Sequence, residues 1–575
     1  MRGAERLCLV AALPLVTSLA LPVALSAQAP LSDGGPRAHE PRPTVPAITA
    51  ADLMTRLYIF ADDSMQGREA GTTGNVRGTD YIARELKRLG LAPGGENGTY
   101  FQTIPLKTRA FDETSTFAVA GARLTAFTDY VALDPRAIQS PALPIVYGGL
   151  ASDAAQPLAA QQAAGKLVVL SVPPGVRGLR GLRSLPAPAD AAAIALVALD
   201  SLPAPLLALL KRPRAFLDDG PPPPAARPPV FLISSAAAGR MFSGPLAGLA
   251  PGAAGATATV DVRFTVSPSA APARNVVAVL PGSDPRVRGE YVAIGAHNDH
   301  LGAGGSPQDH DSVRIWNHVV RPEGADDVGK RATAAQQAAV DSALATFRAR
   351  HAGADRPDSI FNGADDDGSG SVSVLEIAER LASLKPRPRR SVLFVWHTAE
   401  EKGLLGSHYF TDHPTVPRDS IVAQLNLDMV GRGGAGDETG RTKDGTPLHG
   451  GPRYVQLVGS RRLSTELGDL VERVNREGHH DLTLDYALDA NGHPSNIYCR
   501  SDHYEYARYG IPIVFFTTGL HSDYHQLTDE PEYIDYEHMA RVASLVEDVA
   551  AHVADADHRP VVDQPRPDPT GTCRQ

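Results

Sequence analysis

Three consecutive aspartates, Asp365, Asp366 and Asp367, lie in the run Asn362-Gly-Ala-Asp-Asp-Asp-Gly-Ser-Gly370. Like charges side by side repel, and a fold tolerates them best when a cation sits among them. The glycines permit backbone conformations that other residues resist. A calcium loop of the EF-hand type does not fit. With Gly368 in the sixth position, the first position is Gly363 and the twelfth is Val374, where acidic ligands are required. Other ligands must come from elsewhere in the chain, and ionisable groups follow one apolar run after another. Tyr291-Val-Ala-Ile-Gly-Ala ends in His297-Asn-Asp299-His300, and Ser391-Val-Leu-Phe-Val-Trp ends in His397-Thr-Ala-Glu400-Glu401. Ile421-Val-Ala-Gln-Leu-Asn-Leu ends in Asp428, and Ile513-Val-Phe-Phe leads through a loop to Asp523-Tyr524-His525. Imidazole nitrogens and carboxylate oxygens suit zinc. Two such ions joined by a bridging group can share a water and make it a nucleophile. A separate carboxylate must then move protons, and the pair Glu400-Glu401 offers one ligand and one base.

The elements that must position these groups are short apolar strands alternating with amphipathic helices. Strands are expected at 275–280, 291–295, 391–396, 422–427, 454–458 and 513–516, and helices at 372–384, 463–475 and 537–553. Strands buried on both faces and separated by helices indicate a three-layer α/β/α fold with a largely parallel sheet, whose site lies beyond the carboxyl ends of the strands. Two earlier helices are expected, one around Leu53, Leu57 and Phe60 and one over 79–89. Residues 116–270 turn Ala- and Pro-rich, with apolar runs at 144–147, 166–172, 193–199 and 230–233, and read as an inserted β-rich module without chemistry of its own. A second insertion spans 303–361 and is helical over 333–350.

The remaining boundaries follow from composition. Arg2 and Arg6 precede an uncharged run from Leu7 to Ala27, which reads as a secretory leader over 1–27, and Pro14 and Pro22 argue against a regular spanning helix. The expected destination is outside the cytoplasm, periplasmic or extracellular, without stable membrane insertion after cleavage. Residues 28–45 read as a linker, 46–115 and 271–555 as the two parts of one catalytic domain, and 556–575 as a disordered tail. Lys and Arg total 55 against 65 Asp and Glu, a formal charge of −10, and no basic block offers a nucleic-acid surface. Cys8 lies in the leader. Cys499 and Cys573 could pair, and two free thiols are equally compatible with the sequence.

Taken in order, these motifs resemble the secreted dizinc aminopeptidases, a family of zinc exopeptidases that includes glutamate carboxypeptidases and glutaminyl cyclases. The stretches that carry the resemblance are Gly295-Ala-His-Asn-Asp-His-Leu-Gly302, Gly363-Ala-Asp-Asp-Asp-Gly-Ser-Gly370, Ala399-Glu-Glu-Lys-Gly-Leu-Leu-Gly-Ser407, Asn426-Leu-Asp-Met-Val-Gly-Arg432 and Ser522-Asp-Tyr-His-Gln-Leu-Thr-Asp529. With Ser64-Met-Gln-Gly-Arg-Glu-Ala-Gly71, they cover most of 48–115 and 271–550. The 116–270 module resembles, more weakly, a protease-associated domain.

The resemblance implies two zinc ions per chain and a peptide substrate. His297 and Asp428 would bind one metal, Glu401 and His525 the other, and Asp366 would bridge them, with a cis bond to Asp367. Asp299 would fix the ring of His297. Glu400 would act as general base and then acid, and Tyr524 would stabilise the oxyanion. His300 and His397 read as packing neighbours, Asp309, His310 and Asp311 as a loop wall, and Asp502 and His503 as groups that shape the site. An aminopeptidase is the leading expectation. A carboxypeptidase would need a basic clamp, for which Arg432 and Arg500 are candidates, and a non-catalytic binding protein of the same fold would lack the ligands.

Overall fold

The computed structural model describes residues 34–575, apart from 153–157, 177, 221–226, 328 and 352–354. The expected leader lies outside the described residues. The apolar runs form a nine-stranded sheet whose strands, in chain order, are β1 (Ala92–Pro93), β2 (Phe101–Ile104), β3 (Ala273–Leu280), β4 (Tyr291–His297), β5 (Ser391–His397), β6 (Ile421–Leu427), β7 (Tyr454–Val458), β8 (Thr483–Asp485) and β9 (Ile513–Thr517). Their spatial order is β1-β3-β5-β4-β6-β9-β7-β8, with β2 also paired to β3. The middle four, β5, β4, β6 and β9, run parallel, while β3 and β7 flank them in the opposite sense.

Both faces of these strands are covered, which is why their sequences lack polar alternation. In β5, Val392, Phe394 and Trp396 face one layer, while Leu393 and Val395 face the other. The first layer holds α1 (Ala50–Phe60), α2 (Thr73–Arg88), α4 (Gly370–Ser383), α6 (Thr465–Glu477) and α7 (Tyr536–Asp555). The second is thinner, built from α5 (Leu405–Asp412) and the segment 497–511, with Phe410, Tyr504 and Tyr506 against Leu393, Val395 and Phe515. Of the helices, α2 starts six residues before the expected position. Its first turns carry Gly74 and Gly78, poor helix formers, but a Cβ at Gly74 would lie 2.2 Å from the Met65 carbonyl. Close packing on 65–68 is what requires glycine there. Helix α3 (His310–Val320) and the helix Ala334–Arg350 belong to the second insertion, which opens and closes on an antiparallel pair, Gly302–Asp309 with Pro357–Phe361.

The first insertion forms its own eight-stranded sheet. It runs in the order 122–123, 116–119, 254–262, 138–150, 167–171, 193–197, 230–233 and 130–132, with an apolar core on each face. A three-stranded ribbon, Arg214–Leu217, Leu106–Phe111 and Phe264–Pro268, stands between it and the main sheet, so the module begins to separate about ten residues before 116.

Two compositional expectations fail. Residues 556–575 are not a disordered tail. Cys573 is disulfide-bonded to Cys499, Asp563 accepts hydrogen bonds from Thr465, and the Gln575 amide donates to the Leu488 carbonyl. Specific anchors hold a segment whose composition alone would not. The described part of the 28–45 stretch also lies against the domain, where Gly35 N donates to Glu532 O at 2.6 Å and Thr44 Oγ1 to Glu379 at 2.7 Å. Among the described residues, no helix is long and apolar enough to cross a membrane.

Candidate metal centre

The carboxyl ends of β4, β5, β6 and β9 and the acidic loop bring the candidate ligands into two sets that share one residue. His297, Asp366 and Asp428 form one set, and His300, Asp366, Glu401 and His525 the other, with the ligand atoms of each set within 4.8 Å of one another. Asp366 gives one oxygen to each side. Its Oδ1 lies 3.0 Å from His297 Nε2 and its Oδ2 lies 2.9 Å from His525 Nε2. Asp428 Oδ1 is 3.7 Å from His297 Nε2, and Glu401 Oε2 is 3.0 Å from His525 Nε2.

The three aspartates have three different tasks. The Asp365 carboxylate accepts from Gly431 N at 2.7 Å and lies 3.2 Å from His521 Nε2, tying the loop to the segment after β6. Asp367 accepts from His297 N and from Gly370 N, both at 2.9 Å, so it links the end of β4 to the start of α4. Only Asp366 projects into the site, and the Asp366–Asp367 peptide is cis. Behind the loop, the Asp529 carboxylate accepts from Asp365 N and Asp366 N at 2.9 and 3.0 Å. The fully buried Arg68 donates to the carbonyls of Phe60, Asn362 and Gly363. Burial lowers the Arg68 guanidinium to about 10, against the opposing pull of Asp529, Asp299, Asp367 and Asp366, so it stays charged beneath the acidic loop. Three non-glycine residues next to or within the ligand set have left-handed backbones: Ala399 (φ 56°), Met429 (φ 61°) and His525 (φ 56°). Each costs about 1–3 kcal/mol and persists where the surroundings over-determine it.

The electrostatics are those of a site that expects cations. Burial works against a charged His297, yet Asp366, Asp367 and Asp428 outweigh it and hold the imidazole well above its ordinary value. Burial likewise works against an ionised Glu401, but His525 and His300 outweigh it and hold the carboxylate at about 2. Glu400 lacks such support. Burial pushes its carboxyl well above the usual range, with Glu401 and Asp428 adding to the shift and His297 opposing it. The fit to metal is tested by the polar atoms left over. His297 Nε2, His300 Nδ1 and Glu401 Oε1 are buried and make no hydrogen bond, although oxygen or nitrogen neighbours lie 2.8–3.0 Å away. Buried polar atoms are almost always hydrogen-bonded, so atoms that converge without bonding one another point to a shared partner between them. Imidazole and carboxylate donors in two sets with a common carboxylate fit a pair of zinc ions.

His300, read from sequence as a packing neighbour, stands inside the second set with Nδ1 2.8 Å from Glu401 Oε1. The only sequence signal was its position directly after the His-x-Asp element. Asp299 differs from expectation in which of its atoms holds the ring. Its main-chain carbonyl is 3.0 Å from His297 Nδ1, while its carboxylate is 3.8 Å away and accepts from Glu400 N at 3.0 Å. Tyr524 stacks on His525 with ring centroids 4.0 Å apart, and its oxygen accepts from Arg500 Nη2 at 3.1 Å. His397 and Asp502 are 3.4 Å apart beneath the site, and His503 Nε2 is 2.8 Å from the Tyr498 carbonyl oxygen, so neither histidine reaches the ligand sets. A pocket opens over the centre, lined by Asp366, Glu400, Asp428, Tyr524 and His525 on one side and by Leu488, Ile497, Phe515 and Leu520 on the other.

This arrangement has relatives. Residues 275–550 match Peptidase family M28. The match takes in 276 of the chain's 575 residues. The strands that lead to the candidate ligands, β4, β5, β6 and β9, all fall within the matched segment, whereas the first insertion precedes it. The chain is also similar to leucine aminopeptidase 1 of Sclerotinia sclerotiorum, with 30% identity over 195 residues, which is 32% of this chain and 44% of that protein. Leucine aminopeptidase 1 of Coccidioides posadasii is 31% identical over 206 residues, 34% of this chain and 47% of its own. The chain thus spans about half the length of the curated relatives it matches. Among solved structures, an aminopeptidase from Aneurinibacillus sp. strain AM-1 aligns at 17% identity and a TM-score of 0.48, over 90% of this chain and 97% of its own. A zinc aminopeptidase from Bacillus subtilis aligns at 16% identity and a TM-score of 0.45, over 90% of this chain and 99% of its own.

Proposed function

We propose that this chain is an exported aminopeptidase that uses two zinc ions to hydrolyse the amino-terminal peptide bond of peptides. The observation that carries the reading is Asp366, which turns one oxygen to each of two ligand sets beside Glu400. His297, Asp366 and Asp428 would hold one ion and His300, Asp366, Glu401 and His525 the other, and zinc bound there polarises a carbonyl and activates water. Glu400 takes the proton of the attacking water and returns it to the leaving amine. Burial raises its carboxyl above the usual range, which favours its holding the proton between the two steps. Asp299 positions two partners at once, the His297 ring through its carbonyl and the Glu400 main chain through its carboxylate. Because the Tyr524 oxygen accepts from Arg500, its own hydrogen is free for a developing oxyanion.

The choice of end rests on the arginines. Arg432 is bound to Asp523 and Asp437, at 2.9 and 3.2 Å, and Arg500 is paired with Asp326 through both nitrogens, at 2.6 and 3.1 Å. Neither offers a free clamp for a substrate carboxylate. The apolar wall of Leu488, Ile497, Phe515 and Leu520 supports an apolar amino-terminal residue. The uncharged run after Arg2 and Arg6 supports export. A panel of aminoacyl p-nitroanilides tests the reading: Leu and Phe derivatives are hydrolysed faster than Asp or Lys derivatives, and a chelator abolishes the activity until zinc is restored. Release of carboxyl-terminal residues from amino-blocked peptides, with no action on the anilides, would overturn it.

A further inference from the structure

A third group of potential ligands lies outside the two sets described above. His310, at the start of α3, Asp358, in the closing strand of the same insertion, and Glu530 each place a ligand atom within 4.8 Å of the others. They border a cavity of about 380 Å³, also lined by Asp63 and Asn362. His310 is 1% exposed. Its Nδ1 lies 3.2 Å from Asp311 Oδ1, while its Nε2 is buried and has no hydrogen-bond partner. A buried imidazole nitrogen with nothing to bond is unfavourable, so the site holds an unmet polar requirement as well as an acidic one. The nearby Arg356 does not meet it, since its guanidinium is engaged with Glu532 at 3.0 Å and Asp311 at 3.3 Å.

We propose that His310, Asp358 and Glu530 form a third, separate site for a divalent transition-metal cation, which fastens the 302–361 insertion to the support of the acidic loop. The donor set decides the class. One imidazole with two carboxylates suits zinc or a similar cation, with water completing the shell, whereas calcium takes oxygen ligands. Both carboxylates already have fixed orientations. Asp358 Oδ1 accepts from Ile360 N at 3.0 Å, and Glu530 Oε1 accepts from Asn362 Nδ2 at 3.0 Å. The connection to the active centre is short. Asn362 also gives its carbonyl to Arg68, and Asp529, beside Glu530, holds the main chain of Asp365 and Asp366. A cation here joins α3, the insertion's closing strand and the segment after His525, three parts of the chain far apart in sequence. Its role is positional, since none of its ligands touches the substrate pocket.

The assignment presupposes nothing about hydrolysis and can fail while the peptidase reading stands. The test is metal content by atomic spectrometry of the full chain, stripped with chelator and reloaded with zinc, in parent, Asp358→Asn, His310→Ala and Asp366→Ala forms. Asp358→Asn and His310→Ala each bind one zinc fewer than the parent and keep the two that Asp366→Ala loses. Zinc then raises the Tm of the parent more than that of Asp358→Asn. Identical zinc content in parent, Asp358→Asn and His310→Ala would overturn the site, as would its filling by calcium in preference to zinc. Circular dichroism of each variant separates loss of the ion from loss of the fold, and Asp358→Asn keeps the size and one oxygen of the side chain.

Discussion

The two sheets of this chain bury their interiors in opposite ways. Between 116 and 262, Asp129 is the one buried charged side chain among the described residues, and it is bonded to Thr125 N and Arg240. In the segment that matches family M28, Asp299, Asp365, Asp366, Asp367, Asp502, Asp523 and Asp529 are all buried within a few turns of one another. Burying a charge costs far more than burying a methylene unless the charge is paired or ligated. A fold that accepts so many does so because their positions serve chemistry, whereas the inserted sheet is free to be held by apolar contact alone. The contrast separates stability from activity along the sequence, and substitutions can probe each side.

The largest effect is expected at the shared ligand. Asp366→Ala loses two zinc ions relative to the parent chain and hydrolysis falls to background, while Glu401→Ala loses one, as read by metal analysis after gel filtration. Loss of a single ion from Asp366→Ala would show that the carboxylate serves only one set. The next effect lies in the other region. Phe231 is buried against Phe117 and Tyr130, so Phe231→Ala costs about 3–5 kcal/mol in urea unfolding. The folded fraction keeps the parent kcat. A fall in kcat without a fall in stability would mean that the insert acts in the site after all.

The smallest effect concerns pH and the rim of the second layer. The hydrogen bond from His408 to Glu505, at 3.0 Å, raises the imidazole above its ordinary value, with burial opposing and Asp412 assisting. A raised folded pKa means that the pair stabilises the protein fully below the unfolded value, about 6.5, and that this contribution is lost as pH rises through the folded value. The ring is half exposed, so the change is small. Tm measured at pH 6 and pH 8 falls less in His408→Gln than in the parent, and an equal fall in both would remove His408 from the account.

Much of this was readable from residues alone, for identifiable reasons. The four central strands are apolar on both faces, and each leads into a histidine or carboxylate, so both the sheet and most members of the two converging sets were legible. Which atoms do the work was not. Asp299 acts on His297 through its carbonyl, and main-chain geometry leaves no mark in composition. Asp365 and Asp367 looked equivalent to Asp366 in charge and differ only in which backbone amides they meet. His300 could not be raised above a packing neighbour, nor His310 above a loop wall, because burial without a hydrogen-bond partner, the property that marks both, appears only once the chain is folded. The tail was misread because one disulfide and a few side-chain bonds outweigh a Pro- and Asp-rich composition.

The central claim is that a carboxylate outside both ligand sets moves the proton, and Glu400→Gln tests it most directly. Steady-state hydrolysis of leucine p-nitroanilide, with metal content measured on the same sample, should show parent levels of zinc and a kcat lowered by about 10²–10⁴-fold. Turnover within a few-fold of the parent at full zinc occupancy would contradict the account.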